Sequence, residues 1–216
     1  DLKVAKHYAM GRYAVEVPYV APDNRTVYIS DDGTNVGFFM FVADLGGDLS
    51  AGTLYAAKWK QQDDAYGGEA KLDWVNLGHA TDAEIKAAID AGIKFGHIFD
   101  AVEPVGGSCQ DGYTSINAGH DTYQPYPGHQ CLKLKTGTFA GVAIEKLASR
   151  LESRRYAAMM GATTEFRKYE GVTMDKERKI LYTSMSEINK GMEDKPGGTN
   201  DIGGPNDIRV AKNNCG

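Results

Sequence analysis

The sequence lacks any run of about 18 apolar residues, so no segment is predicted to span a membrane. It also lacks a cluster of Lys or Arg. The formal net charge is −5 and the pI about 5.6, so the basic face typical of nucleic-acid-binding proteins is missing and no nucleic-acid partner is expected. Neither a Walker loop, a GxSxG elbow nor a zinc-protease HExxH helix occurs. These absences remove the common sequence signatures of nucleotide-binding, serine-hydrolase and zinc-protease sites.

Cysteine is scarce, with three residues, Cys109, Cys131 and Cys215. Residues 104–137, rich in Gly, Pro, Tyr and His, read as an inserted loop that a Cys109–Cys131 disulfide would close. Free thiols in a reducing compartment are the alternative. The chain starts "DLKVAKHYAMG", without the basic start and apolar stretch of a signal peptide. We therefore expect trimmed ends or a fragment, and a partner for Cys215 outside the chain.

The strand-forming part of the sequence is long and regular. Residues 26–61 alternate "TVYIS", "FFMFVAD" and "TLYAAKWK" with turns rich in Asp, Gly and Asn, and "LDWVNLG" at 72–78 would add a fourth strand. Four short antiparallel strands in sequence form a meander, the unit of a propeller blade. Helical spacing predicts one helix over 81–96, with Thr81 and Glu84 as a capping box, and another over 141–162. The sequence thus predicts one mainly β domain over 1–216, or a fragment of one, with propeller-like blades and two inserted helices.

One phrase occurs twice. Glu16 and Tyr28 are 12 residues apart, as are Glu170 and Tyr182, and each glutamate precedes a short strand, a charged turn and a second strand. Such a repeat is typical of propeller blades, whose equivalent residues converge on the central channel. Converging carboxylates repel each other unless a cation lies between them, and oxygen ligands suit Ca²⁺, Mg²⁺ or Mn²⁺, while a bridging carboxylate also holds iron. The alternative is that both glutamates are solvated residues at strand edges.

A family resemblance covers most of the chain. Four segments, in order, resemble the PhoX-type alkaline phosphatases: "GRYAVEVPYVAPDNRTVYISDDG", "DLSAGTLYAAKWK", "LESRRYAAMMGATTEFRKYEGVTMD" and "GGPNDIRVAKNNCG". The resemblance implies a β-propeller, a periplasmic or extracellular location, and a phosphomonoesterase that uses calcium and iron to hydrolyse a phosphate-ester substrate. Because the family's chains are much longer, this chain resembles a middle section of one.

The resemblance also implies site residues. Glu16 matches a glutamate that bridges metal ions, and Glu170 matches a calcium ligand. An acidic calcium-binding position corresponds to Asp31 or Asp32, and the choice between them is open.

Other positions depart from the family pattern. The phosphate-binding arginine of the family is replaced by Lys168, while Arg167 lies one residue earlier. A lysine keeps the charge but loses the bidentate geometry of arginine. The position before Glu16, often His in the family, is Val15, and residues 1–10 lack the iron-binding cysteine that the family carries upstream. Further acidic ligands of the family lie beyond the last matching phrase.

Three functions follow as hypotheses. The first is a metal-dependent phosphatase in which Glu16, Glu170 and Asp31 or Asp32 hold metals and Lys168 or Arg167 contacts phosphate. The second is a non-catalytic propeller that keeps calcium for structure and binds another protein through the 104–137 loop. The third is a lactonase-like hydrolase with one calcium ion in the channel.

The remaining candidates favour ordinary structural roles. His97 is expected to pack or cap a helix, and the pair Arg154–Arg155 to be solvated or to anchor a helix. His120 and His129 lie with Asp121 in the 104–137 loop, where a metal or ligand site is the alternative, although the ligand spacing is loose. The stretch "GGTNDIGGPND" has the composition of a calcium loop but lacks the EF-hand spacing.

Overall fold

The structure is a computed structural model that describes residues 4–119 and 128–211. The fold is mainly β, as predicted, and the sheets seen in these ranges are open, without the closure of a complete propeller. The strands are, in chain order, β1 Val15–Val20, β2 Thr26–Asp31, β3 Thr34–Val36, β4 Phe39–Leu45, β5 Asp48–Asp63, β6 Glu69–Thr81, β7 Phe99–Val102, β8 Thr114–Asn117, β9 His129–Leu134, β10 Thr138–Phe139, β11 Val142–Ala143, β12 Phe166–Arg167, β13 Tyr169–Asp175 and β14 Ile180–Met185. The helices are α1 Asp82–Asp90, α2 Phe95–Ile98, α3 Ile144–Leu151 and α4 Ser153–Met159, with short 3-10 turns at Tyr8–Met10, Ala65–Gly67 and Lys190–Met192. None of the described helices has the length and apolar character needed to cross a membrane.

The largest sheet is an antiparallel meander with strand order β1-β2-β4-β5-β6. The prediction of a meander with a fourth strand near 72–78 is therefore confirmed, and β1 extends it. Alternate side chains on β4 and β5, such as Phe39, Phe41 and Leu54, are fully buried in the main core. This alternation is what a sheet with one covered face requires.

The helices cover that buried face, but they are shorter than predicted. The Thr81–Glu84 capping box forms, and α1 then ends at Asp90 instead of running to residue 96, because Gly92 adopts a left-handed conformation with φ +78°. The second predicted helix is divided at Glu152, whose φ and ψ of −133° and 47° are not helical. The two predicted helices therefore correspond to four shorter helices in the structure.

Arg150 of α3 fixes these helices to the sheet. Its guanidinium is buried, with a relative exposure of 1%, and donates to the carbonyl oxygens of Ala9, Gly52 and Gly78. Burial lowers its pKa to about 10, so the side chain stays charged at neutral pH. Gly52 is needed for the close pairing of β5 with β4, because a Cβ there would lie 2.4 Å from the carbonyl oxygen of Val42.

Residues 104–137 were predicted as an inserted loop, and this prediction is wrong for part of the segment. Strands β8 and β9 both lie within it and form a three-stranded sheet with β7, in the order β7-β9-β8. A disulfide joins Cys109 to Cys131, which is fully buried on β9. These strands were not predicted, because the glycines and prolines spread along the segment indicated turns. His120, Asp121 and Cys215 lie outside the described residues.

A smaller core lies on the other side of the meander. It contains Phe38, Phe166 and Tyr169, whose rings pack on one another, together with Val172 and Ile208. Strand β12 pairs with β3, and the hairpin β13–β14 packs beside β1 and β2. Through this core the last third of the chain returns to its first strands.

The disulfide offers a direct test of the sheet β7-β9-β8. In a Cys215→Ser background, replacing Cys109 and Cys131 by Ser should lower the free energy of unfolding by about 3 kcal/mol, because the bridge closes a loop across a sequence separation of 22. Urea denaturation measures the change, and Cys215→Ser alone is the control. Equal stability with and without the bridge would contradict a role for it in holding this sheet.

Candidate functional site

The repeated phrase of the sequence corresponds to two β-hairpins. Tyr28 pairs with Tyr19 in β1–β2, and Tyr182 pairs with Thr173 in β13–β14. Glu16 and Glu170 each lie where the pairing register of the first strand shifts, between Val15 and Pro18 and between Tyr169 and Gly171. Such irregularities re-aim side chains and are frequent near functional sites. The sequence repeat is therefore also a structural repeat, and it includes the shift in strand register at each glutamate.

The two phrases also come together where the chain leaves β2 and enters β13. The backbone N–H of Lys168 donates to the carbonyl oxygen of Gly33 over 3.0 Å, and Lys168 Nζ lies 3.2 Å from Asp32 Oδ1. Lys168 adopts a positive φ of 49°, which turns the chain between β12 and β13. A cation from one phrase and a carboxylate from the other thus become neighbours, although 136 residues separate them.

Asp31 is the buried anchor of this meeting point. Its carboxylate is fully buried and accepts hydrogen bonds from the Arg154 guanidinium and from the N–H groups of Ala14 and Gly37, at 2.9 Å and 3.4 Å. Burial raises the pKa of Asp31, and the Arg154 guanidinium opposes the rise. Because both oxygens already have partners, Asp31 does not fit the role of a metal ligand in this arrangement. Of the two aspartates, Asp32 is the one with an accessible carboxylate.

The other predicted ligands are more exposed. Glu16 faces solvent, and Glu170 is exposed and accepts a hydrogen bond of 2.8 Å from Ser186 Oγ. In residues 4–119 and 128–211, the one group of three or more Cys, His, Asp or Glu side chains with ligand atoms mutually within 4.8 Å is Cys109, His129 and Cys131. The cysteines of that group form the disulfide, so they are not thiolate ligands. Within the described residues, the predicted ligands Glu16, Asp32 and Glu170 do not form a group with mutually close ligand atoms.

The two predicted phosphate contacts differ in availability. Arg167 is 7% exposed and its guanidinium is paired with Glu187 and with Thr34 Oγ1. The Lys168 side chain is 36% exposed. Its hydrogen bond to Asp32 raises its pKa, which keeps the ammonium charged in alkaline solution. Geometry therefore favours Lys168 over Arg167 as the group that reaches an anion.

The sequence predicted Arg154 and Arg155 as a solvated or helix-anchoring pair; Arg154 does anchor α4, but its partner Asp31 was not predicted. Besides binding Asp31, Arg154 donates to the carbonyl oxygen of Asp32 over 3.0 Å. With Arg12 and Arg155 it lines a cavity of about 860 Å³ between α4 and the sheet β7-β9-β8. Nothing in the local pattern distinguishes Arg154 from Arg155, because the distinction depends on the distant Asp31.

The prediction for His97 is confirmed. Its Nδ1 accepts the backbone N–H of Lys94 over 2.9 Å at the start of α2, and its ring packs on Phe139. His97 therefore caps α2 and packs against an aromatic ring, as predicted. His129 lies in β9, where it contacts Ser115 Oγ over 2.9 Å and its pKa is lowered by burial.

A second buried carboxylate, Glu165, directly precedes β12. It is 2% exposed and accepts the N–H groups of Asp207 and Ile208 at 2.9 Å and 2.6 Å. Burial raises the pKa of Glu165 to about 7, and the negative charges of Asp207 and Asp201 add to the rise. These hydrogen bonds attach the C-terminal segment to the strand that leads into Lys168.

Comparisons with known proteins give one structural likeness. No protein-family model matches the chain, and no curated protein matches it. The fold is similar to a solved structure described as Pseudomonas fluorescens PhoX in complex with vanadate, a transition state analogue, with a TM-score of 0.48 and 18% sequence identity. The match covers 94% of this chain and 28% of that chain. A likeness at this level carries no argument about activity, and the activity, substrates and partners of a whole protein are therefore proposals.

The Asp31–Arg154 pair predicts a large effect of one substitution. Arg154→Ala should lower the free energy of unfolding by about 3–5 kcal/mol, because it leaves a buried carboxylate without its counter-charge. Arg178→Ala is the matched control: Arg178 is exposed and pairs with Asp175, so its loss should change stability by less than about 1 kcal/mol. Denaturant unfolding measures the loss of stability in both variants. Equal losses in Arg154→Ala and Arg178→Ala would refute an anchoring role for the Asp31–Arg154 pair.

Glu165 predicts a pH dependence. Because its pKa is raised in the folded state, the stability it contributes is present below its ordinary pKa, near 4.5, and is lost as the pH rises to about 7. The fall should be on the order of 1–3 kcal/mol. Urea unfolding at several pH values in this range measures the free energy of unfolding. It should fall less steeply with pH in Glu165→Gln than in the unmodified protein. Glu177→Gln, a variant in an exposed turn, should keep the pH dependence of the unmodified protein. An unchanged pH dependence in Glu165→Gln would contradict the role given to Glu165.

Proposed function

We propose that this chain belongs to a phosphomonoesterase of PhoX type and contributes to a site that hydrolyses phosphate esters with the help of calcium and iron. The observation that carries the proposal is the meeting of the two hairpins, where Lys168 from one phrase lies beside Asp32 from the other. The phrases that resemble the family are the same ones that come together in space. A periplasmic or extracellular location is part of the proposal.

Lys168 supplies the anion-binding part of the site. Its ammonium is partly exposed and charged, and the positive φ of its backbone directs the chain out of β12. A phosphate ester at this position would compete with Asp32 for the Lys168 ammonium, whereas Arg167 is less exposed and is held by Glu187. A lysine holds a phosphoryl oxygen as a point charge, without the two-point grip of an arginine. Substrate orientation by this chain is thus weaker than a bidentate contact would give.

Metal ions are the second part of the proposal, and the fit of the described residues to them is incomplete. Glu16, Glu170 and Asp32 have the carboxylate chemistry that calcium and iron accept, and Asp31 does not have a free oxygen. When bound, such ions would polarise the phosphoryl group and stabilise negative charge. Since these carboxylates do not converge, metal ions here would need ligands besides them. No step of hydrolysis through a metal follows from this geometry.

The second candidate is a non-catalytic calcium-binding module that binds another protein through residues 104–137. The commitment of Asp31 to Arg154 favours it, because a predicted ligand position is used for structure. A lactonase-like hydrolase remains the third candidate, and turnover of an ester substrate would test it.

Replacement of Lys168 tests the proposal. In protein loaded with calcium and iron, Lys168→Ala should lower kcat/KM for an aryl phosphate by about 10–100-fold, since a charge contact to the phosphoryl group is lost. Lys168→Arg should retain most of the activity, and Lys176→Ala, on the exposed turn of the same hairpin, should behave like the unmodified protein.

The same protein separates the candidates. Absence of aryl phosphate hydrolysis by fully metal-loaded protein would overturn the phosphatase proposal. Elemental analysis then distinguishes the alternatives: bound iron with calcium supports the enzyme, whereas calcium alone supports the binding module.

A further inference from the structure

Three side chains with metal-binding atoms lie together at the sheet β7-β9-β8. The sulfurs of Cys109 and Cys131 and a ring nitrogen of His129 are mutually within 4.8 Å, and residues 4–119 and 128–211 contain no other such group of three Cys, His, Asp or Glu side chains. The two sulfurs are joined as a disulfide. Because metal ions bind the thiolate form of cysteine, the group becomes a complete ligand set only when the disulfide is reduced.

The backbone positions this ligand set independently of the bridge. His129 and Cys131 are alternate residues of β9, so their side chains lie on the same face of the sheet. Strand β9 is the central strand, and Val102 of β7 and Ser115 of β8 are paired with Cys131 from either side. The Cα of Cys109 is 5.4 Å from that of Cys131. A tetrahedral ion about 2.3 Å from each sulfur holds the two sulfurs only about 3.8 Å apart, so small side-chain rotations suffice.

The His129 ring is held by two neighbours. Gly203 packs directly on it, since a Cβ at residue 203 would lie 2.1 Å from His129 Cδ2. Ser115 Oγ lies 2.9 Å from His129 Nε2 and donates to the carbonyl oxygen of Gly203 over 3.2 Å. A hydroxyl that donates to a carbonyl can accept the ring N–H, and metal-binding histidines are commonly fixed by such an acceptor. With the proton on Nε2, the lone pair on Nδ1 is left for an ion.

We propose that reduction of the Cys109–Cys131 disulfide turns this group into a zinc site, with both thiolates and His129 as ligands. Two sulfurs and one imidazole form a ligand set that zinc accepts, whereas calcium and magnesium select oxygen. Two thiolates also cancel the charge of Zn²⁺, so no net charge is placed beside the fully buried Cys131. Cys109 and His129 are only partly buried, and water takes the fourth position.

The exchange between the two states is balanced. A phosphine reductant breaks the S–S bond and becomes a phosphine oxide with the oxygen of one water molecule, whose two protons complete the two thiols. A dithiol gives the same thiols by becoming a disulfide. Zinc binding then forms two Zn–S bonds and releases both thiol protons. Oxidising compartments therefore favour the bridge, and reducing ones favour zinc.

Zinc titration of the phosphine-reduced protein, followed by calorimetry, tests the proposal in a Cys215→Ser background. The reduced protein should bind one zinc ion per chain, and the oxidised protein should lack this binding. His129→Gln should weaken zinc binding by at least about tenfold, because a ligand is removed. His79→Gln is the matched control, since His79 is exposed and its ring contacts Asp44.

Thermal unfolding gives a second measurement on the same samples. Zinc at a hundred times its Kd should raise Tm of the reduced protein by about 5–10 °C, because it binds the folded state. The oxidised protein should show no comparable rise. Equal zinc binding by the oxidised and reduced forms would overturn the proposal, as would equal affinities in His129→Gln and its parent.

Alkylation of the unmodified protein does not depend on any variant folding. After reduction, zinc should slow the reaction of Cys109 and Cys131 with iodoacetamide by at least about tenfold and leave Cys215 unchanged. Protection of Cys215 together with Cys109 would mean a different ligand set and would refute the site. The ligands are distinct from Glu16, Asp32 and Glu170, so failure of phosphate-ester hydrolysis leaves these results unchanged.

Discussion

The buried pair Asp31–Arg154 is the interaction on which the arrangement of the candidate site depends. Asp31 ends β2, and its carboxylate is also held by the N–H groups of Ala14 and Gly37. One charged group thus joins the approach to β1, the end of β2, the turn after β3 and helix α4. A buried carboxylate tolerates this position only with its counter-charge, so α4 must lie where it does. Asp32 and Gly33 follow directly and are presented to the second hairpin.

The second constraint is the return of the chain to its first strands. Strand β12 pairs with β3, and the N–H of Lys168 binds the carbonyl oxygen of Gly33. Rings of Phe38, Phe166 and Tyr169 fill the space beneath this contact. Burial of these rings stabilises a pairing between distant segments, which the backbone hydrogen bonds of strands only two and three residues long would not hold by themselves. The hairpin site and the C-terminal segment are both attached to this small core, through Tyr169 and Ile208 respectively.

Local patterns predicted much of the fold. The succession of strand-forming stretches and turns along 26–61 and the Thr81–Glu84 capping box were predictable from sequence, because turns and helix caps depend on neighbouring residues. The repeat was readable too, and both copies are hairpins. The strands within 104–137 escaped prediction, because a Gly- and Pro-rich composition hides them and their pairing with β7 is decided elsewhere in the chain. The break at Glu152 escaped for a similar reason, since Ser153 and Arg154 are held by tertiary contacts.

The sequence by itself determined the mainly β character, the meander, the capped helix and the two matching hairpins, because each follows from the period and turn chemistry of a short segment. Only the tertiary structure decided which charged residues are anchors and which are available. Asp31 and Asp32 are adjacent in sequence, yet one is sealed by Arg154 and the other faces Lys168. Arg167 and Lys168 are also adjacent, yet Arg167 is buried and Lys168 is partly exposed. The reason is physical: burial and partner distance set the state of a charged group, and both depend on residues more than a hundred positions away.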